Sequence, residues 1–166
     1  MAHITLGGKP THTVGDLPKV GAEAPTFIAI KPDMSSVSLD DLRGKKVVLN
    51  IFPSIDTGVC ATSVREFNKR AASKDNVTVV CLSLDLPFAQ KRFCGAEGIN
   101  SVVVASGFRD GGGFGSDYGV RIAAGAFEGL YARAIVVLDE AGKVLHTEMV
   151  PEIGQEPNYD AAWQVL

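Results

Sequence analysis

The residues best placed to do chemistry lie in one short segment. Cys60 closes the stretch Pro53-Ser-Ile-Asp-Thr-Gly-Val-Cys60, which follows directly on the apolar run Val47-Val-Leu-Asn-Ile-Phe52. A strand that breaks at a proline and delivers a cysteine into the first turn of a helix sets the thiol against unpaired backbone N–H groups and the positive end of the helix macrodipole. Both favour the thiolate, the form that acts as a nucleophile. An unperturbed thiol is ionised to only about 3% at neutral pH, and making the thiolate dominant by a wide margin takes about 4 kcal/mol. A helix end supplies about 0.3 to 1 kcal/mol, or up to about 2 in a partly buried site. The site therefore requires a second cation or hydrogen-bond donor.

The remaining candidates narrow the chemistry. Thr57 stands three residues before Cys60, so the Cys-x-x-Cys spacing of a general disulfide oxidoreductase is absent. A cysteine hydrolase needs a histidine base, and the late candidate His146 falls on a strand of a hairpin. His3, His12 and His146 are scattered without a pair at metal-ligand spacing, so neither a metal nor a cofactor is expected. Cys81 lies within the apolar run Val77-Thr-Val-Val-Cys-Leu-Ser83 and reads as core. Cys94 sits on a second helical stretch, where burial is the ordinary fate of a cysteine.

The elements that must position Cys60 are legible from periodicity. From Val59 to about Ser73, Cys60, Val64, Phe67 and Ala71 share one helical stripe, with Arg65, Glu66, Lys69 and Arg70 mostly opposite. Strands are expected at Thr26–Ile30, Val47–Phe52, Val77–Ser83 and Ser101–Val104, and a helix from Asp85 and Pro87 to about Cys94. Continuous apolar strands alternating with helices imply a parallel βαβ unit. An antiparallel pair follows at Ala134–Leu138 and Val144–Met149, turning through Asp139–Gly142, and then a final helix over Asn158–Leu166 that packs Trp163 inward. Ser38–Gly44 reads as one helical turn closed by glycine. Ile4–Val14 reads as a hairpin turning at Gly7-Gly8, and Asp56 competes with Thr57 to cap the Cys60 helix. The glycine-rich stretch Arg109–Tyr118 is expected to be loose or irregular, since glycine costs about 1 kcal/mol per residue in a helix. The order of these elements is thioredoxin-like: an α/β fold with a central mixed sheet flanked by helices.

Composition is consistent with that reading. With 166 residues, 46% of them apolar and 21% charged, the chain can bury one core, and a single domain over residues 1–166 with an N-terminal hairpin extension over 1–16 is expected. A net charge of -3 with dispersed basic residues argues against nucleic acid as a partner. The chain has no apolar stretch of membrane-spanning length, and its first residues lack a secretory pattern, so a cytoplasmic protein without a membrane partner is expected. Three cysteines in such a chain point to reduced or catalytic thiols rather than structural bridges.

Two long segments then become specific. The run Asn50-Ile-Phe-Pro-Ser-Ile-Asp-Thr-Gly-Val-Cys-Ala-Thr-Ser-Val-Arg65 and the run Asp85-Leu-Pro-Phe-Ala-Gln-Lys-Arg-Phe-Cys-Gly-Ala-Glu-Gly98 resemble the bacterial thiol peroxidases, the atypical two-cysteine subfamily of the peroxiredoxins. The likeness continues through Ala132–Glu140, Pro151-Glu-Ile153 and Glu156–Asp160, so it covers nearly the whole chain. It implies that Cys60 is the nucleophile that attacks the peroxide, that Thr57 hydrogen-bonds thiolate and peroxide, and that Pro53 shields the site. By the same resemblance Arg133 lies beside the thiolate, supplying the missing cation, and Cys94 resolves the oxidised Cys60 into a Cys60–Cys94 disulfide. Thioredoxin as reductant, a hydroperoxide substrate, a homodimer and a role in antioxidant defence are implied in the same way. Phe52, Ile55, Phe88 and Phe93 around the motifs are compatible with alkyl hydroperoxides as well as hydrogen peroxide.

The implied disulfide carries a geometric demand. Cys94 lies about seven residues into its helix, roughly 10 Å from the start at about 1.5 Å per residue, whereas a disulfide needs Cα atoms within about 7 Å. The first turn of the Cys60 helix and the Cys94 end of the other are expected to unwind, eased by Gly58, Gly95 and Gly98. The alternative reading is a peroxide-responsive redox sensor that shares the cysteine pair without rapid turnover.

Overall fold

The apolar runs assemble into a seven-stranded sheet in the computed structural model, which describes residues 1–111 and 113–166. The strands are β3 (Ile28–Ile30), β4 (Ser36–Ser38), β5 (Lys46–Ile51), β6 (Val77–Ser83), β7 (Val103–Ser106), β8 (Ala134–Leu138) and β9 (Val144–Met149), in the order β4-β3-β7-β6-β5-β8-β9. β5, β6 and β7 run parallel, joined by helices α1 (Gly58–Ala71) and α2 (Pro87–Glu97). β8 pairs antiparallel with β5, and β9 returns as a hairpin. This is the mixed, helix-flanked sheet of a thioredoxin-like fold. Apart from it, β1 (His3–Leu6) and β2 (Lys9–His12) form the expected hairpin about Gly7-Gly8. Among the described residues no helix is long and apolar enough to cross a membrane.

Both faces of the sheet are covered, which is why its central strands read as continuous apolar runs rather than alternating ones. Val48, Val79, Cys81, Ile135 and Val137 pack with Cys60, Val64, Phe67 and Ala71 of α1. Their neighbours along the strands, Val47, Leu49, Val80, Leu82, Val136 and Leu138, form the other core with Phe27, Phe114, Tyr118 and Tyr131. The last helix, α4 (Tyr159–Gln164), is capped by Asn158, whose side chain accepts from Ala161 N–H at 3.0 Å. Half-buried Trp163 packs inward against Phe67, with ring centroids 6.3 Å apart, and Tyr159 meets the same ring at 5.2 Å. Arg70 fastens this seam by pairing with Glu66 and with Asp160, both at 2.8 Å.

Three expectations need adjustment. The strand read at Ser101–Val104 lies at Val103–Ser106, because the Asn68 side chain accepts from the N–H groups of Asn100 and Ser101 (3.2 and 2.7 Å) and holds them against α1. α2 runs past Cys94 to Glu97 and stops at Gly98, whose φ of 65° suits glycine and whose N–H donates to the Cys94 carbonyl. The glycine-rich stretch is not irregular throughout. Gly113–Asp117 form helix α3, while Gly112 lies outside the described residues. The Asp110 carboxylate accepts from Phe114 N–H at 2.8 Å, and the Phe114 and Tyr118 rings, one turn apart, stack at 4.3 Å inside the core. Gly115 between them sits in tight quarters, since a Cβ there would lie 3.1 Å from Arg121 and 3.2 Å from Tyr131 and would press on both. Burying two aromatic rings outweighs the local cost of glycine.

The seam between α1 and α4 keeps α1 seated on the sheet. Truncating its fully buried centre, Phe67→Ala, is expected to lower stability by about 3 to 5 kcal/mol. Urea unfolding checks this through a lower midpoint with an unchanged slope.

Candidate active site

Local chemistry explains how Cys60 is delivered. β5 ends as Phe52 N–H donates to the Leu82 carbonyl at 3.1 Å, and buried Pro53, which has no N–H, cannot continue the ladder. The chain turns at Ser54, whose carbonyl accepts from Thr57 N–H at 3.2 Å, and α1 begins at Gly58. Thr57 holds the N-cap position in extended backbone (φ -86°, ψ 146°), yet its side chain does not cap the helix and donates instead to the Ser54 carbonyl at 3.2 Å. Asp56 does not cap it either; it is exposed and pairs with Arg92 at 3.2 Å. The backbone N–H groups of the first turn are thus left to act on whatever charge Cys60 carries.

Cys60 is the third residue of α1 and is wholly buried. Its carbonyl accepts from the Ser63 hydroxyl at 2.7 Å, and Ser63 accepts from the Asn50 amide at 3.2 Å, so β5 is locked to the first turn of α1. Arg133, 2% exposed, precedes β8 and donates through Nη2 to Cys60 Sγ at 3.2 Å. Its Nε donates to the Ile153 carbonyl at 2.8 Å, while Nη1 is buried without a hydrogen-bond partner among the described residues. A buried cation needs a compensating anion, and no carboxylate forms an ion pair with Arg133 among the described residues. The sulfur it touches is the group able to become that anion. The second cation demanded by the sequence is present, 73 residues away in the chain.

The support behind Arg133 was not foreseen. The Ile153 carbonyl is held by a loop tied to the N-terminal hairpin. Ile153 N–H donates to the Thr5 carbonyl at 2.9 Å, and the Glu152 carboxylate accepts from Gly154 N–H (2.7 Å), Gly8 N–H (2.8 Å) and the Thr5 hydroxyl (2.9 Å). Those donors, the Gly154 and Gly8 amides foremost, hold the Glu152 pKa down at about 2. Asp85, read as a helix start, instead turns back onto the Cys60 loop. It accepts from Ile55 N–H at 2.7 Å and from the Ser54 hydroxyl at 2.8 Å, and α2 starts two residues later at Pro87. Asn50 and Ser63 carried no sequence signal, being one polar residue within an apolar strand and one on a helix.

Other predicted residues are placed unevenly. Phe52 and Ile55 are buried in the cluster that holds Cys60, and Phe93 packs at its edge, but Phe88 is 67% exposed. Cys94 is half-buried near the end of α2, beside a pocket of about 310 Å³ lined by Lys31, Ile99 and Val102 among others, and burial pushes its thiol pKa up. Cys81 is wholly buried and pushed up to about 12 by desolvation, as befits a core residue. All three cysteines are free.

The redoxin family profile matches residues 19–163 of this chain. The chain belongs to the redoxin family. Within that family it is 60% identical over 166 residues to the thiol peroxidase of Mycobacterium tuberculosis, spanning all of this chain and 99% of the relative. It is 51% identical over the same span to the thiol peroxidase of Corynebacterium glutamicum, again covering 99% of the relative. The crystal structure of a peroxiredoxin-like protein from Aquifex aeolicus superposes with a TM-score of 0.93 at 40% identity, covering 99% of this chain and 96% of that one. The thiol peroxidase from Chromobacterium violaceum, at 20% identity, shares the fold with a TM-score of 0.91 over 99% of this chain and 95% of that one. The redoxin is therefore a peroxidase of the thiol peroxidase type, an oxidoreductase that reduces hydroperoxides with thiols.

The Glu152 anchor has a pH signature. Its folded pKa lies below the ordinary value of 4.5, so its contribution is present above about pH 4.5 and is lost as pH falls toward about 2. Wild type is expected to exceed Glu152→Gln in urea midpoint at pH 6, with the gap closing as pH falls through that window.

Proposed function

We propose that Cys60 is the peroxidatic nucleophile and that Arg133 both stabilises its thiolate and receives the peroxide. The single observation that carries this reading is the 3.2 Å contact from the Arg133 guanidinium to Cys60 Sγ within a buried site. The thiolate attacks one oxygen of the hydroperoxide, the O–O bond breaks, and the other oxygen leaves with the bonding pair, taking up a proton to become water or an alcohol. Cys60 is left as a sulfenic acid. The unpartnered Nη1 of Arg133 is a donor for the oxygen on which charge develops. Thr57 brings its hydroxyl to the same segment and accepts from the peroxide O–H, and buried Pro53 walls out water. The apolar lining by Phe52 and Ile55 admits alkyl hydroperoxides as well as hydrogen peroxide.

Resolution follows at Cys94. Its thiol attacks the Cys60 sulfenic sulfur, water leaves, and a Cys60–Cys94 disulfide forms. A wholly buried Cys60 in one helix and a Cys94 fixed inside another must be freed for this, so the first turn of α1 and the end of α2 unwind. A thioredoxin dithiol then supplies two electrons and two protons to restore both thiols.

Peroxide-dependent NADPH oxidation through thioredoxin and its reductase tests the scheme. Cys60→Ser is expected to abolish turnover, and retained turnover would overturn the assignment. Cys94→Ser is expected to consume one equivalent of peroxide and then stall with thioredoxin, whereas a wild type that also stalls after one equivalent is a sensor. A separate expectation concerns Arg133→Met. The peroxide rate constant of Cys60 should fall by about 100-fold or more, while the urea midpoint falls only modestly, because the Ile153 carbonyl loses its donor as the buried ion is removed.

A further inference from the structure

The carboxylate of Asp85 joins the two segments that bear the working cysteines. It follows β6 and leads into α2, the helix of Cys94, yet all its side-chain bonds run backwards. Oδ1 accepts from the Ser54 hydroxyl at 2.8 Å, and Oδ2 accepts from Ile55 N–H at 2.7 Å and from the Ser83 hydroxyl at 2.6 Å. Ser54 and Ile55 directly follow Pro53 on the way to Cys60, and the Ser54 carbonyl in turn holds both the N–H and the hydroxyl of Thr57. On the other side the Gln90 amide of α2, wholly buried, donates to Ser83 at 3.3 Å and to the Ala105 carbonyl at 2.9 Å. One half-buried carboxylate thus pins the Cys60 loop to the base of the Cys94 helix through charge-assisted bonds.

Two exposed ion pairs repeat the same bridge, Arg92 to Asp56 at 3.2 Å and Arg65 to Glu97 at 2.9 and 3.0 Å. Exposed pairs contribute little, so the carboxylate of Asp85 is the substantial tie. Each of these ties joins the Cys60 side of the site, from the Pro53 loop into α1, to the Cys94 side, from the end of β6 into α2.

We propose that Asp85 is a positioning residue, a clasp that sets the Cys60 loop for attack in the dithiol state and must release before the disulfide can form. The inference rests on the Cys60–Cys94 resolution proposed above. An interaction shifts an equilibrium only by the difference it makes between the two states, and the clasp as proposed is closed in the dithiol state and open in the disulfide. Removing it therefore has opposite effects on the two chemical steps: attack on peroxide slows because the loop is no longer held, and closure of the disulfide quickens because less must be broken.

The test uses the full-length protein and Asp85→Asn, whose amide nitrogen cannot accept from the donors that face it. Three quantities are read: the rate constant of Cys60 with hydrogen peroxide by stopped flow, the rate of disulfide closure after it, and the dithiol–disulfide equilibrium against a dithiothreitol redox buffer, a two-electron, two-proton exchange. About tenfold slower oxidation, faster closure and about a tenfold shift of the equilibrium toward the disulfide are expected, the last equal to a potential about 30 mV more negative. Ser54→Ala, which removes one of the bonds, should give smaller changes of the same signs and serves should Asp85→Asn fail to fold. A potential equal to wild type, or both rates falling together as in a merely loosened protein, overturns the clasp. A wild type that forms no Cys60–Cys94 disulfide overturns the underlying reading and the clasp with it.

Discussion

A guanidinium buried beside a sulfur is the constraint around which this protein is arranged. Arg133 is almost fully desolvated, forms no ion pair with a carboxylate among the described residues, and directs one N–H to Cys60 Sγ at 3.2 Å. Burying a cation without an anion is costly, and burying a thiolate without a cation is equally so. In the proposed thiolate state each charge makes the other tolerable, and the first turn of α1 adds its amides on the sulfur side. The site is therefore dry with a fixed guanidinium inside it, a setting in which electrostatic stabilisation of a developing oxyanion is strong.

Holding that pair in register takes contributions from distant parts of the chain. β5 and β8 are neighbours in the sheet, so the ends of the two strands bring residue 60 and residue 133 together although 73 positions separate them. Asn50 and Ser63 lock the helix turn to β5. The hairpin at the N-terminus fixes the loop of Glu152 and Ile153, whose carbonyl orients the guanidinium through Nε. A segment that looks like an extension on the sequence is thus part of the support of the site.

Much of the fold was legible because it rests on short-range pattern. The apolar runs at residues 47–52 and 77–83, the stripe through Cys60, Val64, Phe67 and Ala71, and the turn at Asp139–Gly142 all follow from periodicity and turn chemistry. Arg133 was different. Nothing in its spacing ties it to Cys60, and only the resemblance of the surrounding segment to the thiol peroxidases brought it forward. Asp85 departs from its local signal because an aspartate shortly before a proline is an ordinary helix start, whereas two of its three partners lie about thirty residues back. The four glycines among residues 111–115 suggest a loose segment, since local propensity cannot register that Phe114 and Tyr118 stack in the core. In each case the information lay in contacts across the chain.

The account stands on Cys60 being the sulfur that reacts, and a map of the oxidised atom tests that directly. Cys94→Ser protein treated with one equivalent of hydrogen peroxide and a sulfenate-trapping carbon nucleophile, then digested and read by mass spectrometry, is predicted to carry the label on Cys60 alone. Label on Cys81, or peroxide consumed with Cys60 unmodified, would contradict it.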